Sequence, residues 1–402
     1  MNSMISVVLL QISNFFSGLA NAIVLITIPW LVLELTDSPA YAGVVVAISS
    51  LSALLVSPLG GLMINRFGKF GISIAADLLS TLSVMAFPVF VMFFSLTDFA
   101  ILVIALIGAL FDPLGYTARK TMITDVAETS NFNVDRLNGI HEGIIGISWI
   151  AGPAIGAWLI AFVGTTNSFW VAGVCFLVAA LAIFLLKTSG QTPMMKEAVL
   201  SQQSDERVNL WLGFKVIWQD NLLRTIFISV LVVAAVYLPT ESVVLPAYFE
   251  SLHQPTALGF VISALASGSA LTSFGYGWIC KRISRRNLIR IALFGASICT
   301  LLMSLLPPLP LMLIAGFFLG LSWGPFNPLL NTLVQERTSP RVQAMVFSAQ
   351  TSVFYAAPPL GMVIAGLTVE GLGIQLAYMI LALVMVLTSM VSLLTKSLRH
   401  GF

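Results

Sequence analysis

Apolar residues in this chain come in runs of about twenty to thirty, and polar residues are confined to the gaps between them. A run of that length matches the roughly 20 residues a helix needs to cross a hydrocarbon layer. In lipid, only a structure that satisfies its own backbone hydrogen bonds can span. Twelve such runs are predicted as helices: 5–34, 39–63, 70–94, 98–118, 138–163, 168–187, 221–249, 256–279, 287–306, 309–333, 343–368 and 374–395. Their connections alternate between very short ones and basic ones. The one long polar gap, 188–209, reads as a solvated tether between an N-terminal six-helix bundle, 1–187, and a C-terminal one, 210–402. The second bundle opens on "LWLGFKVIWQ" (210–219), which predicts a short amphipathic helix lying in the membrane interface.

Composition sharpens the class. Of 402 residues, 58% are hydrophobic and only 9% charged, and the mean hydropathy is +0.98. A soluble domain carries about 25% charged residues, so this is an all-α, multi-pass membrane protein. The N-terminal run has no charged leader and no A-x-A site, and is read as a spanning helix. Cys175, Cys280 and Cys299 form no CxxC pair, which points to neither a disulfide framework nor a metal site. The net charge of +2 gives no reason to expect nucleic acid. All 19 Lys and Arg residues lie in alternate gaps, at the helix ends that border those gaps, or in the C-terminal tail; the other gaps hold none. The positive-inside rule then places both termini in the cytoplasm and requires an even number of spans.

The chain also repeats itself. "GGLMINRFGK" (60–69) and "GYGWICKRISRR" (275–286) each end an apolar run in basic residues. At one constant offset, Gly61 falls on Gly277, Arg66 on Arg282 and Lys69 on Arg285. "GALFDP" (108–113) parallels "GLSWGP" (320–325), and "GPAIG" (152–156) parallels "APPLG" (357–361). Two pseudo-symmetric six-helix halves made by duplication are a transporter architecture, with substrate bound near the membrane midplane between the repeats.

The stretch 61–70 resembles the loop 2–3 signature G-x-L-A-D-R-x-G-R-K of the major facilitator superfamily. It supplies Gly61, Asn65, Arg66, Gly68 and Lys69, with Asn65 where the pattern has Asp and Phe70 where it has Lys; the second copy keeps Gly277, Arg282, Arg285 and Arg286. "IPWLVLELTDSP" (28–39), "IAADLL" (74–79), "LNGIHEGIIGISWIAGPAIGAWL" (137–159) and "FNPLLNTLVQERTSPRVQAMVFS" (326–348) resemble its exporter branch, which includes macrolide efflux proteins and the enterobactin exporter. The resemblance implies a twelve-helix major facilitator fold in a bacterial inner membrane, exporting amphipathic small molecules such as macrolides or siderophores. It also implies that the basic turn is a cytoplasmic gating latch, for which Asp77 in helix 3 is the expected partner of Arg66. Gly152, Pro153 and Gly156 resemble the helix 5 antiporter signature G-P-x-x-G-G, with Ala157 at its last position.

Carboxylates inside a bilayer are costly and tend to be functional. Helices 1, 4, 7 and 10 line the cavity in this fold, which makes Asp112 and Glu241 the proton-coupling candidates. Pro239 and Thr240, beside Glu241, predict a broken backbone there. Substrate-cavity candidates are Gln11, Asn14 and Asn21 in helix 1, and Trp323, Asn327 and Asn331 in helix 10. By the resemblance, Asn21 stands where related exporters often carry an acid, and the Arg-containing helix 4 signature is missing from 101–115. Asp77 and Glu142 are read as pairing with cations near the inner ends of their helices. There is no Walker A sequence, H-E-x-x-H or nucleophile elbow. The expectation is a monomeric, cofactor-free secondary transporter that is not an enzyme, works on a small molecule against protons and is embedded in membrane lipids. A lipid flippase of the same fold and a transport-inactive sensor or assembly subunit are the alternatives.

Overall fold

The computed structural model describes residues 2–94, 96–132, 134–188, 210–338 and 340–395. Side chains at 53–55, 57–62, 65 and most of 340–356 fall outside that description, as does nearly all of the predicted tether. The described chain is helical almost throughout, and no strand occurs among the described residues. In order the helices are α1 (Asn2–Thr36), α2 (Pro39–Phe67), α3 (Lys69–Phe93), α4 (Asp98–Ser130), α5 (Val134–Val163), α6 (Thr165–Thr188) and the short α7 (Leu210–Gln219). There follow α8 (Asn221–Pro239), a π turn at Thr240–Val244, α9 (Leu245–Ser251), α10 (Pro255–Arg282), α11 (Arg285–Ser304), α12 (Leu309–Trp323), α13 (Phe326–Arg337), α14 (Pro340–Leu372) and α15 (Ile374–Leu394).

Among the described residues, 10 helical segments are long and apolar enough to span a membrane. α2 and α14, of 29 and 33 residues, fall where the other two helices of the predicted twelve are expected, but their apolar described stretches, Pro39–Ser52 and Ala357–Leu372, are shorter than a membrane span. Large side chains such as Leu82, Phe93 and Phe99 stand exposed on the outside. Such a surface is stable against lipid and would be a liability in water.

The chain gathers into two compact units. The first holds α1, α2 from Ile48 onward, α3 to α6 and the stretch Phe249–Gly259. Here α1 packs on α5 and α6, and α3 on α4 and α6. Lipid gives no hydrophobic drive between helices, so close packing of small residues supplies the contact. A Cβ at Gly152 would collide with the Ala22 Cβ, and one at Gly156 would sit 3.2 Å from the Ile23 Cα. Gly152 and Gly156 of the predicted helix 5 motif therefore face α1. At one end Leu10, Met122, Val126, Leu137, Ile183 and Leu186 tie α1, α4, α5 and α6 into a buried knot. Gly68, with a positive φ, turns the chain between α2 and α3 in a conformation only glycine adopts freely.

The second unit holds Ser38–Ala47, α7, the chain from Asn221 to Tyr248 and the described residues from Phe260 on. Gly316, Gly320 and Gly324 fall four apart on α12 and its end, and all three turn to α10. A Cβ at Gly316 would lie 3.6 Å from the Val261 carbonyl oxygen, while those at Gly320 and Gly324 would collide with the carbonyl oxygens of Leu265 and Ser269. This small-residue contact is not marked by hydropathy. The predicted helix 309–333 is broken at Gly324–Pro325 into α12 and α13, because Pro325 has no N–H to donate. The predicted break beside Glu241 is present as the π turn directly after Pro239.

Candidate functional site

The first unit contains a cavity of about 250 Å³ lined by Asn14, Gly18, Asn21, Asp112, Tyr116, Arg119, Ile145 and Trp149. Its construction follows helical periodicity. α1 contributes positions four and three apart, α4 does the same, and α5 adds a pair four apart, so each helix offers one face. Asn21 Nδ2 donates to Asp112 Oδ1 at 2.5 Å and to the Ser17 carbonyl at 3.0 Å. Asn14 Nδ2 donates to the His141 carbonyl at 3.0 Å, fixing α1 against α5.

Beneath the cavity lies a buried ion pair. Arg119 Nη1 donates to both Asp77 carboxylate oxygens at 3.0 and 2.9 Å. Arg119 Nη2 donates to Ser17 Oγ at 2.8 Å, and Ser17 Oγ donates to Asp77 Oδ1 at 2.9 Å. Each charged side chain is only 3% exposed. Two charges taken out of water this completely must satisfy one another. Gly115 lets α4 come close to α3 beside the pair, since its Cβ would sit 3.0 Å from the Ala76 Cβ.

This corrects two expectations. Asp77 pairs with Arg119 and not with Arg66, whose guanidinium lies 5.4 Å from the centre of the Phe67 ring. The reason is length: α4 runs to Ser130, about three turns past its expected end at 118. Arg119 thus sits inside a helix, about two turns below Asp112, and helix 4 does carry a buried arginine. The missed signal is the spacing of Asp112, Tyr116 and Arg119, which continues one helix face past the predicted end. The same misreading hides Asp125, which is buried and pairs with Lys69. Glu142 does pair with a cation, Lys120, at 3.0 Å near the surface.

The other latch residues are placed as follows. Gly61 and Asn65 have side chains outside the described residues. Gly68 caps α3, and Lys69 begins it. In the second copy Arg282 lies over the Trp278 ring at 4.5 Å, Arg285 pairs with Glu336 and nothing crowds Gly277. The Arg285 guanidinium holds the Glu336 carboxyl below the usual carboxylate range. Nearby, Arg337 pairs with Asp220 at 3.0 Å. Burial alone pushes the Asp220 carboxyl up, but the N–H groups of Leu223 and Leu222 and the Arg337 guanidinium outweigh it and hold it low.

The remaining candidates lie in the second unit, apart from Pro153 and from Gln11, which is buried on α1. Glu241 sits on the π turn, one turn from Tyr237. Tyr237 stacks on Trp323 with ring centres 4.8 Å apart and planes at 10°, and Trp323 meets Phe326 edge-on at 5.9 Å. Asn331 accepts from Gln350 Nε2 at 3.2 Å, and Asn327 is exposed. Pro153, back in the first unit, is buried in α5.

Comparison with known proteins places this architecture. The family model described as Major Facilitator Superfamily matches residues 10–248 and 240–400. "Multidrug efflux pump Tap" of Mycolicibacterium fortuitum is 32% identical over 391 residues, covering 96% of this chain and 94% of that protein. "Multi-drug resistance efflux pump PmrA" of Streptococcus pneumoniae is 24% identical, covering 88% and 87%. The crystal structure of the nucleoside transporter NupG superimposes with a TM-score of 0.78 at 15% identity, covering 100% of both chains. The chain is a transporter of the Major Facilitator Superfamily. The expected all-helical fold of this family is the fold observed.

Proposed function

We propose that the protein is a secondary exporter of amphipathic small molecules, drugs among them, driven by protons through alternating access. Macrolides and siderophores are the substrate classes to try first. The observation that carries this reading is the cavity, which brings Asp112 to the same wall as Arg119 and the aromatic faces of Tyr116 and Trp149. Asp112 receives its hydrogen bond from an uncharged amide, Asn21, so it can gain or lose a proton without breaking an ion pair. The buried Asp77–Arg119 pair beneath it fixes the charge that it senses. Glu241, on its π turn beside the Tyr237–Trp323 stack, is the second coupling candidate, and π turns recur at functional sites. The efflux pumps named above support export as the direction. The working protein is a monomer in the bacterial inner membrane with both termini cytoplasmic, gated by the basic turns at Arg66–Lys69 and Arg282–Arg285.

Antiport requires that proton and substrate favour opposite cavity openings. The test is efflux of a panel of macrolides, dyes and siderophores from cells, with and without an uncoupler. Export should stop when the gradient is collapsed, and Asp112→Asn or Glu241→Gln should bind substrate yet lose uphill transport. Export indifferent to the uncoupler and to both substitutions would overturn the reading.

A further inference from the structure

His141 is completely buried on α5, and neither of its ring nitrogens has a protein partner. A neutral imidazole has one donor and one acceptor to satisfy, and leaving both unmade inside a protein is expensive. Gln11 on α1 repeats the anomaly: it is 7% exposed, and both its amide oxygen and its amide nitrogen lack partners. Arg119 Nε, on the residue that lines the cavity, is the third such group. These are not scattered. Asn14 bonds the His141 carbonyl, and Gln11 lies three residues before Asn14 on the same face of α1. The Tyr116 ring, which lines the cavity, has its centre 6.4 Å from that of the His141 ring.

The polar stripe on α1 sets the geometry. Gln11, Asn14, Ser17 and Asn21 follow at helical spacing, and at roughly 1.5 Å per residue they span about 15 Å, half a hydrocarbon layer. At its upper end Asn21 bonds Asp112. In the middle Ser17 bonds the Asp77–Arg119 pair. At the lower end Gln11 approaches the start of α1, one turn before Asn14, which holds the His141 carbonyl. A polar site with several unmet donors and acceptors suits water, which takes two to four partners.

We propose that His141 is a proton-relay residue, reached through internal water, that carries the proton released by Asp112 toward the N-terminal end of α1. The step balances simply. The protonated Asp112 carboxyl gives its proton to water, the imidazole takes it up as imidazolium, and the imidazolium returns it to water at the Gln11 end. The charged groups acting on the ring are Glu142, Arg119 and Lys120. Glu142 and Lys120 are paired with each other and Arg119 with Asp77, and α1 offers the uncharged Gln11 and Asn14. The ring can therefore change charge without breaking any of these pairs. This inference rests on Asp112 being the coupling carboxylate.

The experiment compares uphill efflux and its pH profile in vesicles holding the full-length protein, with substrate binding measured on the purified protein. His141→Gln should bind substrate as the wild type does, yet export at least tenfold more slowly with a flattened pH profile. His141→Ala should recover part of its rate when imidazole is added, which a packing role would not produce. Gln11→Leu, which dries the lower end, should also slow export and flatten its pH profile. If Asp112→Asn is uncoupled while His141→Gln keeps the wild-type rate and pH profile, the relay is overturned and the coupling reading stands. If Asp112→Asn exports uphill normally, the coupling reading itself fails.

Discussion

The hairpin of α3 and α4 in the first unit and its copy, α11 to α13, in the second have drifted apart in how they carry charge. On the register that sets Gly61 on Gly277, Gly68 corresponds to Ser284 and Lys69 to Arg285. The first copy turns on a positive φ, whereas the second turns on an ordinary Ser cap whose hydroxyl accepts from Asn287 N at 3.4 Å. Both copies close with an ion pair, but Asp125 is 3% exposed and Glu336 is 51% exposed. Deeper in, the contrast is complete. Asp77 is matched by Leu293 on that register, and Arg119 by Asn331 on the one that sets "GALFDP" on "GLSWGP". Asn21 is matched by Tyr237 on the first register. Asn21 bonds Asp112, whereas Tyr237 stacks on Trp323, the residue before Gly324, which matches Asp112 on the second register. One copy has become ionic and the other aromatic. Duplication followed by such divergence leaves one half with a buried ion pair and the other with a stacked aromatic pair.

The largest effect should follow from breaking the ionic core. Arg119→Ala strands a carboxylate in a buried site, and removing one partner of a buried pair costs about 3–5 kcal/mol. Thermal unfolding in detergent should show a severe loss. The double variant Asp77→Leu with Arg119→Asn, which copies the second unit, should recover much of the stability while transport stays lost. A single variant as stable as the wild type would remove the contrast between the units. Next in size, Lys69→Ala should lower the unfolding midpoint and transport more than Arg285→Ala does, because it leaves Asp125 buried and unpaired. Exposed pairs contribute little, so equal effects would mean that the two ion pairs are equivalent. Smaller again, Tyr237→Leu removes a stacked aromatic contact of about 0.5–1.5 kcal/mol. It should weaken binding of flat aromatic substrates several-fold and leave the pH dependence of efflux alone.

Much of this is legible in the sequence, and particular residues show why the rest is not. Hydropathy fixes where helices cross, because the penalty for a polar backbone in lipid leaves no alternative. Pro239 announces the π turn beside Glu241, since its missing N–H must interrupt the ladder. Arg119 and Asp125 escape the pattern because charge reads as the end of a membrane helix. Each is buried only through its partner, Asp77 or Lys69, and sequence alone does not show that partner. Nearness along the chain points Asp77 to Arg66, whereas the fold brings up a residue 42 positions away. The orphan nitrogens of His141 cannot be read at all: a lone histidine on an apolar face gives no sign of whether its bonds are made.

The smallest expected effect concerns a device present in the second copy alone. Asp220 caps α8 by accepting from Leu222 N at 2.8 Å and Leu223 N at 3.0 Å, and it also holds Arg337 at the end of α13. On the register that sets Gly61 on Gly277, α1 has Met4 in its place, which can do neither. The Asp220 carboxyl is held below its ordinary range, while an unfolded aspartate titrates near pH ~3.9. A depressed carboxylate contributes stability that is full above the unfolded value and disappears as the pH falls through the folded one. The contribution should therefore be constant across neutral pH and drain away below about pH 4. Asp220→Asn keeps a good helix cap but cannot titrate. Its unfolding midpoint should be slightly lower than the wild type's at about pH 7 and should converge with it in acid. Arg337→Gln should shift the acid limb of the wild-type profile upward, because the backbone N–H groups alone hold the carboxyl less firmly. A midpoint difference that stays constant down to about pH 3 would mean that Asp220 acts through its cap alone and that the second copy gained no charge pair of consequence.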